Sequence, residues 1–349
     1  MASDRRRSDR IALAGLAGCG VALVGAAWLP APAWRAWLAA AFLCTATPIG
    51  ALLLLMVMRL TPGDWSEELG PFMEASALLL PLAALLLVPV LAASTVIYPW
   101  AGEPMRTGFR AAWLSAAFFT VRTVAWFALL LVLAFLLVVR RVKGPAAACL
   151  GLVLVTVAGT VIAVDWLLSL DPDFASSGFG LYVLGIQALT ALAVALGGLI
   201  LSGRGVRRPG LLGAMLLTLL LVWAYLAFVH FVIPWSTNLP PGVLWYQRRA
   251  SGGWDLVMWA VAASRLIPLF LLLFRTFRNS ARRLLALSAA IVAGTVLESA
   301  WLVFPAGRGE PQASAADFAL YLLASAAMAG LLAGMAPRAL DWRDRRRTA

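Results

Sequence analysis

Histidine, lysine and cysteine are nearly absent from this sequence, and these absences limit the cofactors that it can bind. His230 is the only histidine and Lys143 the only lysine among 349 residues. The three cysteines stand apart in apolar segments without a CxxC pair, which argues against disulfides and iron–sulfur clusters. A haem with two axial histidines from this chain is excluded, whereas a haem held by His230 and a methionine is left open. We expect no cofactor and no metal to be bound by this chain.

The sequence motifs of common catalytic sites are also missing. There is no GxSxG, no HExxH and no Walker phosphate-binding loop, so no catalytic residue can be named. Asp171 and Asp173 in "SLDPDF" resemble metal ligands, but they lack the spacing of an EF-hand loop. Because Asp-Pro is typical of turns, we expect both aspartates to lie in water and to shape a turn or cap a helix.

Charge is scarce and apolar residues dominate. Only 13% of the residues are charged, against about 25% in a soluble domain, and the mean hydropathy is +0.90. The net charge is +12, but the arginines are scattered between apolar runs and form no single basic stripe, which argues against nucleic-acid binding. This composition is typical of a protein that lies in a membrane.

Ten apolar runs are long enough to cross a membrane, since a spanning helix needs about 20 mainly apolar residues. None has the short length and alternating polarity of a barrel strand. We therefore predict an all-α integral membrane protein, with residues 1–349 forming a single polytopic domain. The predicted spans are residues 11–29, 36–58, 71–93, 112–139, 146–168, 178–201, 211–233, 254–275, 284–304 and 318–337.

The placement of the basic residues predicts the orientation of the chain. With both termini in the cytoplasm, the inner segments hold 20 arginines and lysines and the outer loops hold six. We therefore predict a multi-pass protein of the bacterial inner membrane with cytoplasmic N- and C-termini. The start of the chain resembles a signal peptide, but the first apolar run is longer than a usual signal core and favours a retained anchor.

Aromatic residues collect in the predicted outer loops, in "IYPW" (97–100) and in "PWSTNLPPGVLWYQRR" (234–249). One interpretation is an aromatic belt at the membrane interface. The other is a docking surface for a partner outside the membrane, for which the loop 234–253 is the best candidate because it is the longest.

Six ionisable side chains lie within the predicted spans, where a charge costs on the order of 3 kcal/mol and marks a pathway or a structural pair. An arginine on one helix is followed by an acid on the next, and this pattern recurs four helices later. It predicts two four-helix bundles, helices 2–5 and 6–9, as internal repeats over 36–168 and 178–304, with helices 1 and 10 peripheral. The six side chains are Glu74, Arg122, Asp165, His230, Arg265 and Glu298.

Several roles fit these side chains. We expect Asp165 to face Arg122, while Glu74 lies at the inner end beside an acidic loop, 63–70. In one role, the Arg–acid pairs are buried ion pairs that fix the helix register. In a second role, the carboxylates and His230 relay protons through a hydrated half-channel. A third role is a quinone site at His230, with Trp223, Tyr225 and Trp235 close in sequence. Transport of another solute is a fourth.

Seven segments, in order along most of the chain, resemble the F subunit of alternative complex III, the bacterial quinol:cytochrome c oxidoreductase. That subunit is a ten-helix relative of the NrfD-like membrane proteins. The matching segments are "RLTPGDW" (59–65), "EASALLLPLAALLLVPVL" (74–91), "IYPW" (97–100), "FFTVRTVAWF" (118–127), "VDWLLSLDPDFASSGFGLY" (164–182), "WAYLAFVHFVIPWSTNLPPGVLWYQRR" (223–249) and "WLVFP" (301–305).

The resemblance implies a cofactor-free integral subunit that braces the membrane arm of a respiratory quinol-oxidising complex, with proton conduction as a further role. The implied partners are an NrfD-like quinol-binding membrane subunit, a periplasmic iron–sulfur protein, a multihaem cytochrome c and membrane lipids.

The second half of the chain departs from the family pattern. The first half keeps the acids and the arginine of that pattern, as Glu74, Arg122 and Asp165. Arg265 stands next to a replaced histidine, and we expect it to neutralise Glu298 directly. The departures are His230 for a glutamine, Pro241–Gly242 for two glutamates, Ser264 for a histidine, Thr295 for an arginine and Glu298 for an aspartate.

Overall fold

The computed structural model describes residues 2–29, 32–102, 108–142, 144–203, 205–306 and 314–348. Within these ranges the regular elements are all helices, which confirms the predicted all-α class. The helices are α1 (Ala2–Trp28), α2 (Pro32–Leu60), α3 (Asp64–Ala77), α4 (Leu80–Ala92), α5 (Ser94–Ile97), α6 (Pro99–Gly102), α7 (Phe109–Trp113), α8 (Ala116–Ala134), α9 (Pro145–Trp166), α10 (Phe179–Leu201), α11 (Pro209–Thr237), α12 (Pro240–Arg249), α13 (Trp254–Leu272), α14 (Arg275–Arg278), α15 (Ala281–Val303) and α16 (Ala315–Thr348).

Nine of the described helices are long and apolar enough to span a membrane: α1, α2, α8, α9, α10, α11, α13, α15 and α16. The helices α3 and α4 pass the same test together and are bent by 42° at the break between them, so the described helices give ten candidate spans if this bent pair is one span. The protein is therefore a polytopic membrane protein, as the apolar runs predict.

Three predicted boundaries are wrong, because the prediction followed apolar residues and helices continue into polar sequence. The predicted acidic loop 63–70 is helical from Asp64 onward. The predicted outer loop 234–253 is mostly helical, since α11 runs through Pro234 to Thr237 and α12 follows almost at once. The last span does not end near residue 337, because α16 continues to Thr348.

The helices α2 and α10 form the centre of the molecule and are the most deeply buried of the spans. They approach so closely that a Cβ on Gly50 would collide with the backbone carbonyl of Gln187. Only glycine fits there, and small residues that let two backbones meet are a common basis of packing between membrane helices.

The remaining spans group around these two helices. The helices α3, α4, α8 and α9 pack with α2, whereas α11 and α15 pack with α10, and α13 packs with α11 and α15. The helices α1 and α16 pair with each other on one side, where α16 also contacts α2 and α3. We call the set around α2 the first bundle and the set around α10 the second bundle, after the predicted grouping of the spans. Since α2 and α10 also pack against each other, a division into two separate bundles stays a prediction. That the bundles arose as sequence repeats stays a prediction.

The pairing of α1 with α16 places both termini at the same end of the molecule. Arg5 binds Asp341 at 2.8 Å, and Arg338 binds Asp9 at 2.7 Å. We call this end the terminal face and the opposite end the distal face. Which face lies in the cytoplasm stays a prediction. The count of basic residues behind this prediction includes four that lie outside the described residues: Arg106, Lys143, Arg204 and Arg308.

Candidate functional site

The ionisable residues predicted within the spans do not meet in one place. Two predicted pairs form, Arg122 with Asp165 and Arg265 with Glu298. Glu74 has a partner from the last helix, and His230 lies among aromatic rings. A further buried cluster, around Asp171, lies at the distal face.

Arg122 of α8 forms a two-pronged ion pair with Asp165 of α9. Its Nε lies 2.5 Å from Oδ2 and its Nη2 lies 3.0 Å from Oδ1. The guanidinium also donates to the carbonyl of Trp113 at 2.9 Å and lies 4.4 Å from the ring centroids of Trp113 and Phe118. Such a fork has a defined geometry, so it fixes the register of α8 against α9.

Neutral hydrogen bonds of the next residue of α9, Trp166, lie beside this pair. The hydroxyl of Tyr98 donates to the carbonyl of Trp166 at 3.0 Å, and the indole of Trp166 donates to Thr123 at 3.2 Å. Three segments that are distant in sequence therefore meet around Asp165.

Arg265 of α13 and Glu298 of α15 form the most deeply buried pair, with both side chains 0% exposed. Nη2 of Arg265 lies 2.8 Å from Oε2 of Glu298 and 2.8 Å from the hydroxyl of Thr295, while Nη1 donates to the carbonyl of Ile291 at 2.8 Å. The predicted neutralisation of Glu298 by Arg265 is therefore seen in the structure.

Two further side chains donate hydrogen bonds to Glu298, and neither contact was predicted from the sequence. Tyr182 of α10 donates to Oε1 at 2.5 Å, and the indole of Trp223 on α11 donates to the same oxygen at 2.8 Å. All four helices of the second bundle thus contribute to one carboxylate. A buried charge is tolerated when it is paired and hydrogen-bonded in this way. The sequence feature that could have indicated the contact with Tyr182 is the presence of a tyrosine within an apolar run.

Glu74 of α3 pairs with Arg343 of α16 at the terminal face, with 2.6 Å between Oε2 and Nε. The pair links α16 to the first bundle. Arg343 lies beyond the last predicted span, in the basic stretch "RDRRR" (343–347), which carries no sign that one of its arginines turns inward. In the structure its side chain is only 5% exposed.

His230 of α11 is buried among aromatic rings, and its Nδ1 lies 3.1 Å from the hydroxyl of Ser176. Its Nε2 has no hydrogen-bond partner among the described residues. The ring is stacked on Tyr182, with centroids 5.6 Å apart. The surrounding aromatic residues are Phe174, Phe179, Tyr182, Trp245 and Tyr246.

The aromatic neighbours predicted for a quinone site at His230 are wrong. Tyr225 and Trp235 are 66% and 69% exposed, and the indole of Trp223 binds Glu298. Nearness in sequence misleads here because residues on a helix point to different sides. The rings that do contact His230 come mostly from other elements.

Asp171 is buried, which contradicts its predicted place in water. Its Oδ1 lies 2.8 Å from Nη1 of Arg248, and its Oδ2 lies 3.1 Å from Nη1 of Arg249. Arg249 is fully buried and also donates to the carbonyl of Leu302 at 2.9 Å. The Asp-Pro turn is present, but α12 folds over it and covers the carboxylate. Asp173 is exposed, as predicted.

Arg249 keeps its charge despite this burial. Burial lowers its pKa to about 10, while the neighbouring Asp171 carboxylate opposes that shift. The guanidinium therefore remains protonated at neutral pH. It lies 3.7 Å from the ring centroid of Trp245 on the same helix. Because Arg249 also binds Asp171 and the carbonyl of Leu302, the inner side of α12 is fixed to the bundle and does not form an open docking surface.

These contacts favour the interpretation of the charges as structural ion pairs. Both oxygens of Asp165, Asp171 and Glu298 have donors, and arginine supplies a positive charge to each. A role in proton relay stays a prediction. Among the described residues, no group of three or more His, Cys, Asp or Glu side chains is placed to hold a metal ion.

No family model matches the sequence, and no curated protein matches it significantly. The resemblance to the F subunit of alternative complex III therefore rests on the seven sequence segments.

Proposed function

We propose that this chain is an integral membrane subunit of a respiratory quinol:electron-acceptor oxidoreductase of the alternative complex III type. In this proposal it lies in the bacterial inner membrane with cytoplasmic termini, and it braces the membrane arm. Its partners are an NrfD-like quinol-binding subunit, a periplasmic iron–sulfur protein and a multihaem cytochrome c. The polytopic helical architecture is what such a subunit requires.

One observation carries the proposal: segments that resemble the family contact one another through their characteristic residues. Tyr98 of "IYPW" binds the backbone of Trp166 in the "VDWLLSL" segment. In the second half, the indole of Trp301 in "WLVFP" donates to the carbonyl of Arg249 in "WYQRR" at 3.2 Å. Residues from four of the segments that resemble the family therefore contact one another. This supports the interpretation that the segments belong together in one related fold.

Bracing is the role that the buried charges support best. Ion pairs inside a bundle hold the helices in one register and resist separation, because breaking a pair leaves a charge without a partner. Proton conduction is a second role within the same proposal.

The alternative is a standalone transporter that uses the Arg and acid residues in the spans. The break between α3 and α4 favours it, because interrupted helices form substrate sites in many transporters. The complete burial of Arg265 and Glu298 opposes it, since a solute cannot reach them without a rearrangement.

Co-purification distinguishes the two functions. A tagged chain extracted from its native membrane in mild detergent is expected to carry haem-containing subunits, visible in the reduced-minus-oxidised spectrum, and an iron–sulfur protein identified by mass spectrometry. A chain that purifies alone and catalyses solute uptake in proteoliposomes would establish the alternative. Neighbouring genes for a multihaem cytochrome and an NrfD-like protein would support the complex.

Asp165→Asn is expected to reduce assembly or quinol turnover of the complex, because Arg122 then lies buried beside a neutral amide. The loss of a buried pair costs about 3–5 kcal/mol. Asp173→Asn is the matched control at an exposed position and is expected to be nearly silent. The measurement is the haem content per tagged chain together with the quinol oxidation rate. Equal behaviour of the two variants would contradict this role for Asp165.

A further inference from the structure

A lateral groove of about 500 Å³ opens on the side of the bundle at the level of the apolar spans. Val194 of α10 and Val296 of α15 form one wall, and Leu322, Ala329 and Ala333 of α16 form the other. Val194 and Leu322 are partly exposed, so the groove is open to the surroundings of the bundle. In a membrane, those surroundings are the hydrocarbon tails of lipids.

The floor of the groove lies at the break between α3 and α4 and beside a proline within the continuous helix α2. Pro48 stands inside α2, and Ser76 and Leu79 flank the break between α3 and α4. Proline removes a backbone hydrogen bond and crowds the preceding turn, and such helix interruptions in membranes occur where they line a cavity. The groove is thus a feature of the backbone and not a gap between side chains.

The groove is too small for a helix of a partner protein. A spanning helix about 30 Å long and about 10 Å across fills roughly 2,000 Å³ or more. A single hydrocarbon chain that reaches from the membrane surface to the bilayer centre is about 15 Å long. If the contact distance between carbon atoms, about 4 Å, sets the width of this chain, its volume is roughly 200–300 Å³. From Leu322 to Ala336 the groove follows α16 for about 21 Å at 1.5 Å per residue, which accommodates such a chain.

The chemistry of the walls fits a tail and not a head group. No charged side chain of the described chain lines the groove, and the walls are mostly aliphatic. The hydroxyl of Thr190 is turned to its own helix, where it donates to the carbonyl of Ile186 at 2.7 Å. An aliphatic chain therefore displaces no hydrogen bond of Thr190. Ser325 also lines the groove, and its hydroxyl has no hydrogen-bond partner among the described residues with or without an acyl chain.

We propose that this groove is a binding site for one acyl chain of a bilayer phospholipid. The site is independent of the proposed function, because it rests only on the shape and chemistry of the groove. It also lies beside the buried Arg265–Glu298 pair. Thr190 contacts the hydroxyl of Thr295 at 2.9 Å, and Thr295 accepts from Arg265 at 2.8 Å. An acyl chain against this wall supports the packing of α10 on α15.

The test is photo-crosslinking with a phosphatidylcholine that carries a diazirine in one acyl chain. The full-length protein is reconstituted with this probe and excess unlabelled lipid, and crosslinked peptides are identified by mass spectrometry. Crosslinks are expected to concentrate on the groove segments of α10, α15 and α16. Ala329→Phe fills the groove and is expected to reduce them about tenfold, which corresponds to 1.4 kcal/mol of lost binding. Ala263→Phe makes the same change at an exposed position in the middle of α13 and is expected to leave them unchanged.

Three outcomes would overturn the proposal. Uniform labelling of all lipid-facing helices, unchanged in Ala329→Phe, would mean that the groove holds no particular lipid. Displacement of the probe by a long-chain quinone at concentrations where unlabelled phospholipid does not compete would assign the groove to an isoprenoid tail. Thermal unfolding of both variants in the same detergent checks that each is folded, and groove labelling in a folded Ala329→Phe protein at the wild-type level would contradict the site.

Discussion

Arg265→Ala is expected to destabilise the protein by about 3–5 kcal/mol, the usual cost of breaking a buried ion pair by removing one partner. Glu298 is then left with only Tyr182 and Trp223 as hydrogen-bond donors, in a place without access to water. This is a large part of the total stability of a typical folded domain. The expected result is a lower yield of monodisperse protein and a lower temperature of thermal unfolding in detergent.

The double variant Arg265→Ala with Glu298→Gln separates the ion pair from simple loss of packing. Since the glutamine is neutral, it removes the unpaired charge, and we expect it to restore on the order of 2 kcal/mol of the loss as a coupling energy. Arg207→Ala is the control, because Arg207 is 80% exposed and surface ion pairs contribute about 0–1 kcal/mol. Additive losses from the two single changes would show that the residues are not coupled.

Asp171→Ala is expected to have an effect of similar size, about 3–5 kcal/mol, because it leaves the fully buried Arg249 without a carboxylate. The loss should detach α12 from the end of α9. Limited proteolysis at the distal face, followed by mass spectrometry, reports this detachment directly, and thermal unfolding in detergent reports the cost.

Asp173→Ala is the natural comparison for this variant, since it lies two residues away in the same "DPD" sequence and is exposed. It is expected to change the unfolding temperature little. If both aspartate variants resisted proteolysis equally, α12 would be held by its apolar contacts, and the ion pairs at Asp171 would contribute little to its position.

The helices and the pairs within each bundle were predictable, because lipid leaves few alternatives to an apolar helix of about 20 residues. A charge in such a helix needs a partner at the same depth, so Arg122 with Asp165 and Arg265 with Glu298 could be named in advance. Each pair joins two spans that follow each other in the chain. The depth of each charge in the membrane was therefore enough to restrict the choice of its partner.

The remaining partners were not predictable, because the sequence does not say which polar residue outside the spans turns inward. Arg249 and Arg343 both lie in basic stretches that are ordinary at a membrane surface. Their burial depends on how α12 folds back and how far α16 continues. The aromatic neighbours of His230 were missed for the same reason, since most of them come from elements that only the tertiary fold brings together.

The close pairing of α1 with α16 has a consequence for the order of biosynthesis. A Cβ on Gly15 would lie 2.5 Å from the backbone nitrogen of Leu331, so the two helices interlock at their backbones. The first described helix therefore has its main partner in the last described helix. At about 5–20 residues per second, roughly 15–60 s pass between the synthesis of α1 and that of α16. Because α1 can complete its packing only after α16 has been made, a product truncated before α16 exposes the partner surface of α1 to cellular quality control.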